Sequence, residues 1–312
     1  MIQPQVLVSN MVDISVCMVS LNCLGVLKDC LGSLYATQPS ISFEIILVDN
    51  ASTDGTVDFV RNHYPQIRVI ENTRNVGFTK ATNQAIAASS GRYLLWLNTD
   101  TILEPDSLVK LHDFMQAHPQ AGIVGPKVLN RDGSFQPQCK RGLPTPLASL
   151  CYMLRVDRVF PNSRWAGQYL LTYLPIDTAN RVDAVSGCCL LARRNVWDQI
   201  GPLDEHIFAF GEDVDWCVRA DNAGWEVWYY PASIITHLKG QGGVHSKPYH
   251  KAWGMHHGMW VFYRKHLLAH YSWAVTSLVW LGIWTKLGCT SVLIWMQRTV
   301  RPWLQRMIQA AR

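Results

Sequence analysis

Four groups of polar residues, each set directly after an apolar run, have the types and spacing to do chemistry. The first is Asp49 in LVDNASTDGT (47–56). An acid ending a buried strand there can accept a hydrogen bond from a uracil or thymine N–H, and the Ser, Thr, Asp and Gly loop can hold the rest of a nucleotide. An Asp in such a turn can equally cap the helix that follows. The second is LNTDT (97–101), with Asn98 and Asp100 one residue apart at a strand end. Two oxygen-bearing side chains so spaced can reach one hard cation and the phosphates it bridges, neutralising charge on a leaving diphosphate. An Asn-Thr-Asp turn is also an ordinary strand terminator.

The third group is FGEDVDWCVRA (210–220), which places Glu212 and Asp213 at the first turn of a helix. Acids there complement the helix dipole by about 0.3–1 kcal/mol each. One of them can also take the proton from an attacking hydroxyl, and two adjacent acids push one pKa up towards a useful range. The fourth is His237 in SIITHLKGQGG (233–243), after an apolar strand. A lone His is an ordinary core or surface residue, but here Gly240, Gly242 and Gly243 make a loop able to close over a diphosphate, with Lys239 in reach of its oxygens.

These groups act together only if the chain brings them to one edge, and the apolar pattern predicts that it does. ISVCMV (14–19), FEIILVDN (43–50), IRVIEN (67–72) and YLLWLNTD (93–100) read as strands. Helical spacing runs from Leu24 to Leu34, after ASTDGT, and around 79–89. Alternating helices and near-continuous apolar strands imply an α/β layer with a mostly parallel sheet. Ligands bind such sheets at the carboxyl ends of the strands, where Asn22, Asp49, Asn50, Asn98 and Asp100 fall. Residues 130–180 read as irregular loops around short elements. The pattern then resumes with a strand over VDAVSGCCLLARR (182–194) and a helix from GEDVDW.

With 48% hydrophobic and 16% charged residues, the 312-residue chain is globular and not disordered. Its charge is lopsided: residues 227–312 carry ten Lys and Arg and no Asp or Glu, which points to an anionic surface. Thirteen Trp favour lipid over nucleic acid as that surface. The nine cysteines have no C-x-x-C spacing and read as reduced thiols. No basic residue precedes Lys28, so no secretory signal is expected, and the bulk of the chain is expected in the cytoplasm.

The segments VSLN (19–22), ILVDNASTDGT (46–56), NVGFTKATNQAI (75–86), LLWLNTDT (94–101), VSGCCLLARR (185–194) and FGEDVDWCVRADNAGW (210–225) together resemble the family 2 glycosyltransferases of GT-A fold. The likeness runs from about residue 13 to 240, and is strongest to the rhamnosyltransferase-like members that build bacterial polysaccharides. The resemblance implies that Asp49 holds the nucleobase and that Ser20, Asn22, Gly77, Asn83 and Asn98 line the nucleotide. It implies a divalent metal, Mg or Mn, on Asp100 and His237, and a catalytic base from the acidic pair, Asp213 before Glu212. Asn98 stands where other members have a carboxylate, which weakens the expected metal affinity. The implied reaction is inverting transfer from a nucleotide-sugar donor, dTDP-rhamnose or a UDP-hexose, to a hydroxyl of a glycan or lipid-linked acceptor. A sugar nucleotidyltransferase would need a basic Gly-rich loop near the N-terminus, and none precedes Lys28. A catalytically inactive, glycan-binding member would not need the intact acids.

The expected organisation is a GT-A domain over 1–265 and a helical tail over 266–312. From Trp273 to Met296 nine Leu, Ile and Val contribute roughly 3–5 kcal/mol towards membrane insertion, against about 2.5–3.5 for Lys286. That balance predicts a helix at the inner face of the membrane, anchored by Trp280, Trp284 and Trp295 with Arg298, Arg301 and Arg306 at anionic headgroups. The alternative is a helix packed on the catalytic domain.

Overall fold

The computed structural model describes residues 12–36, 41–239 and 248–300. The first half alternates as the apolar runs require: β1 (Ile14–Ser20), α1 (Leu24–Ala36), β2 (Phe43–Asp49), α2 (Thr56–His63), β3 (Arg68–Glu71), α3 (Phe78–Ala87) and β4 (Tyr93–Leu97). The second half is less regular. It runs through β5 (Thr101–Leu103), α4 (Ser107–Ala117), β6 (Ala121–Leu129), β7 (Lys140–Arg141), α5 (Pro146–Met153), α6 (Val156–Val159), β8 (Asn180–Arg181) and β9 (Ala184–Val185). Then come β10 (Cys189–Arg193), α7 (Arg194–Ile200), α8 (Glu212–Asn222), β11 (Glu226–His237), α9 (Pro248–Phe262) and α10 (Trp273–Trp295).

Nine strands among the described residues form one sheet in the order β3-β2-β1-β4-β10-β6-β11-β5, with β8 beside β11. Strands β3, β2, β1 and β4 are parallel, and β10 enters antiparallel between β4 and β6. Alternate residues of one strand serve opposite faces. Ile14, Val16 and Met18 of β1 join the larger core with Ile45 and Leu47 of β2, while Cys17 joins Ile46, Val48 and Leu94 on the other side. Both faces are covered, which is why these strands read as unbroken apolar runs.

The structure divides the strand expected over 182–194. Ser186, Gly187 and Cys188 separate β9 from β10, and β9 pairs with β7 in a small second sheet. A Cβ on Gly187 would sit 3.1 Å from the Trp96 ring and 3.2 Å from the Cβ of Asp213, a close passage of the chain beside α8.

Helix α10 is apolar on all sides and none of its described residues is buried. It is long and apolar enough to cross a membrane. Val279 packs against the main core of the domain. The helix meets the rest of the chain at its first turns, where Thr276 Oγ1 lies 2.9 Å from Tyr263 Oη. Arg301 and Arg306 lie outside the described residues.

Candidate active site

At the carboxyl end of β2 the Asp49 carboxylate is buried and held on three sides. Ser20 Oγ donates to Oδ1 at 2.7 Å, Ser52 Oγ to Oδ1 at 2.5 Å, and the Ser52 amide to Oδ2 at 2.7 Å. Asn22, in the left-handed region at φ 47°, donates its amide to Ser52 Oγ and accepts the Thr53 amide on Oδ1 at 2.7 Å. Ser20, Asn22 and Asp49 thus form one rigid rim. Beside it lies a cavity of about 390 Å³ lined by Asp49, Ser52, Thr53, Glu71 and Asn72 among others, within the size range of a small-molecule site.

Gly77 opens α3 at φ 97°, and a Cβ there would come within 2.7 Å of the Phe208 ring. Its carbonyl accepts Asn50 Nδ2 at 3.3 Å, which ties the start of α3 to the end of β2. Asn83 is placed otherwise: its amide spans the Leu203 backbone, with Nδ2 donating to Leu203 O and Oδ1 accepting Leu203 N, each at 3.0 Å. Its amide therefore braces the 203 loop against α3, one helical turn beyond the residues facing the rim.

At the ends of β4 and β11 the strands bring Asp100 and His237 together, with Oδ1 and Nε2 3.2 Å apart and both side chains largely buried. The register does this: β5 pairs antiparallel with β11, setting His237 opposite Thr101. Burial opposes charge on His237, but hydrogen bonds to Asp100 and Cys188 prevail and hold the imidazole at about 10. Gln136 Oε1 lies 3.2 Å from Nδ1 and so leaves Nε2 to face Asp100. Asn98 Oδ1 is buried with no hydrogen-bond partner. Among the described residues no three His, Cys, Asp or Glu side chains cluster as a metal site. The donor set in place is one carboxylate, one imidazole and one unsatisfied amide oxygen. The loop Gly240–Gly243 lies outside the described residues.

The acidic pair opens α8, where the positive φ of Gly211 (103°) turns the chain into the helix. The two carboxyls differ sharply. Asp213 Oδ2 accepts Arg141 Nη2 and the Gly187 amide at 2.9 Å, and Oδ1 accepts the Val214 amide at 2.8 Å. Glu212 has a buried Oε2 without partner, and burial, then the charge of Asp213, push its carboxyl up to about 8. The like-charge pressure expected of adjacent acids thus falls on Glu212, while Asp213 pairs with Arg141. Tyr169 also faces this pair through a hydrogen bond to Arg141.

Arg141, Tyr169 and Gln136 carry no signal in the sequence, because they come from the segment without periodicity, and Gly187 was visible only as part of VSGCCLLARR, read there as strand. Ser52 was visible only as part of the polar loop after Asp49.

The profile of glycosyl transferase family 2 matches residues 15–198. The chain is 31% identical over 215 residues to an N-acetylglucosaminyl-diphospho-decaprenol L-rhamnosyltransferase of Mycobacterium tuberculosis, covering 65% of this chain and 68% of that one. It is also 31% identical over 126 residues to a PGL/p-HBAD biosynthesis glycosyltransferase of Mycobacterium bovis, covering 39% and 49%. In fold it resembles S. aureus TarS 1-349 in complex with UDP-GlcNAc, with a TM-score of 0.57 at 18% identity over 86% of this chain and 70% of that one. GalNAc-T7 with UDP, GalNAc and Mn2+ gives 0.55 at 17% over 74% of this chain and 44% of that one. Strand order, site and relatives agree: the chain belongs to glycosyl transferase family 2 and is a glycosyltransferase of GT-A fold, similar to the family's rhamnosyltransferases.

Proposed function

We propose that the protein transfers a sugar, with inversion, from a nucleotide diphosphate donor to a hydroxyl of a lipid-linked glycan. The observation that carries this reading is the meeting of Asp100 and His237, which the adjacent residues Cys188, in contact with His237, and Gly187, whose amide donates to Asp213, link to the acidic pair. The nucleoside enters the cavity beside Asp49, whose carboxylate accepts a pyrimidine N–H, and Ser20, Asn22 and Gly77 shape the approach to the diphosphate. Asp100, His237 and the Asn98 amide oxygen fit a divalent ion, Mn or Mg, which when bound neutralises charge on the departing diphosphate. Asp213, oriented by Arg141 and the Gly187 amide, takes the proton of the acceptor hydroxyl as that oxygen attacks the anomeric carbon. One displacement with one base leaves no covalent sugar intermediate.

The 31% identical relative is named for rhamnosyl transfer to a diphospho-decaprenol acceptor, which supports dTDP-rhamnose first among donors and a lipid-linked acceptor. The tail, apolar on every side and exposed, seats in the bilayer on its cytoplasmic face. The test is nucleotide-sugar consumption across dTDP-rhamnose and UDP-linked hexoses, with Mn or Mg and with excess EDTA. Consumption of one donor that stops with EDTA is expected. Full turnover in EDTA removes the metal from the reading, and consumption of no donor removes the reading itself.

A further inference from the structure

The 146–165 segment is folded with its apolar side chains inverted. On α5 the small residues Ala148 and Cys151 face inward, whereas Leu147, Leu150 and Met153 are about half exposed. The pattern continues through Leu154 at 66%, Val159 at 70% and Phe160 at 55% exposure. Trp165, at 54%, ends the run. A water-facing helix ordinarily carries its polar residues on the outer face, and a contiguous apolar patch of this kind marks an interaction surface. Its charges have one sign. Arg155, Arg158 and Arg164 are exposed, and the segment's only acid, Asp157, is buried at 6%.

We infer that this face is a membrane-docking surface, separate from the tail, which takes the headgroups of acidic phospholipids and presents the active site to an acceptor embedded in the same leaflet. Large apolar side chains bracketed by arginines, with no exposed acid, are complementary to an anionic bilayer. The face is wired to the chemistry. Tyr152 of α5 packs on Tyr169 with ring centroids 4.8 Å apart, and Tyr169 hydrogen bonds the Arg141 that holds Asp213. The Gly142 amide, donating to Tyr169 O at 3.0 Å, closes the segment back on the strand that carries Arg141. The inference deepens the reading of a lipid-linked acceptor and rests on it, since a soluble acceptor would need no such surface beside Asp213.

The test uses the full chain and a label that needs no turnover. Cys289 is the only exposed cysteine, so Cys289→Ser leaves no other exposed thiol, and Leu154→Cys in that background accepts a nitrobenzoxadiazole fluorophore. With equimolar phosphatidylglycerol and phosphatidylcholine vesicles the emission should shift to the blue and be quenched by spin-labelled lipid. The same label at Lys110→Cys on α4 should not respond. Arg155→Ala and Arg158→Ala should each weaken the response about fivefold. An unshifted Leu154→Cys label on protein that has pelleted with vesicles overturns the proposal. So does a blue shift that follows protein concentration without lipid, which would mean that a second copy covers the face. In the catalytic arm, Leu154→Asp with Phe160→Asp should keep acceptor-free donor hydrolysis but slow transfer to a vesicle-borne acceptor about tenfold or more. Equal slowing on a water-soluble acceptor would make the residues structural and overturn the role. If no donor is consumed at all, the functional reading falls, while the label still decides the docking.

Discussion

At the scale of single residues the two acids of the site have different surroundings, Asp213 paired with Arg141 and Glu212 with a buried oxygen that has no partner. Asp213→Asn is expected to lower turnover by about two to four orders of magnitude while donor affinity stays close to wild type. Glu212→Gln should keep most of the turnover. If Glu212 were the base, its raised pKa would make the rate climb as pH rises through about 8, and Glu212→Gln would be the inactive variant. The same shift has a stability consequence. The folded protein holds the Glu212 proton more tightly than the unfolded chain, whose ordinary value is 4.5, so Glu212 costs stability increasingly as pH climbs from 4.5 to about 8. Thermal melts across that window should show Glu212→Gln gaining on wild type as pH rises. Much of this site was legible in the sequence, because Asp49, Asn98, Asp100, the acidic pair and His237 each end or begin an apolar-periodic element. The differing roles of Glu212 and Asp213 were not. They depend on Arg141, which reaches α8 from a two-residue strand that no local pattern marks, and on the unpartnered Glu212 oxygen, which only burial reveals. Asn83 shows the opposite case: its position in a family-like segment was clear, but its amide is spent on the Leu203 backbone.

At the scale of elements, α8 is fixed at both ends of its first turns. Asp215 is fully buried and accepts Arg219 Nε at 3.0 Å, Lys265 Nζ at 2.9 Å and His266 Nε2 at 2.7 Å. The helix that carries the acids is thereby pinned to the turn following α9. Asp215→Ala removes the shared acceptor, and although Lys265 keeps Asp204 and Arg219 keeps the Ile200 and Pro202 carbonyls, His266 loses its partner, so a loss of about 1–3 kcal/mol is expected in chemical denaturation. Donor binding by the folded fraction should be unchanged. Helix α8 could be read from GEDVDW alone, and β1, β2 and β4 from their apolar runs. Its tie to residues 265 and 266 could not, because contacts across fifty residues leave no periodic trace. The break between β9 and β10 was hidden for a related reason: VSGCCLL is apolar throughout, and only the approach of α8 forces Gly187 out of the strand.

For the whole molecule, we propose that the catalytic domain extends past the 265/266 boundary expected from the sequence. A boundary at 265/266 would cut the ion cluster on Asp215 and expose Leu267, which is buried. A chain ended at Tyr271 keeps those contacts and removes α10. At high salt, where headgroup attraction is screened, the full chain should still pellet with anionic vesicles and the shortened chain should stay in solution while consuming donor as before. Pelleting of both would show that α10 is not the anchor. A further consequence lies in β11, whose pairing with β6 jumps from Tyr230 opposite Pro126 to Ile234 opposite Lys127, leaving Pro231, Ala232 and Ser233 as slack in the ladder. Before that step the strand pairs with β6 and β8, and after it with β6 and β5 as far as His237. A strand that slips by one residue turns every side chain to the other face, but here a slip in the lower half is absorbed before it reaches His237. A change of register beside β8 is therefore separated from His237 by the unpaired residues 231–233.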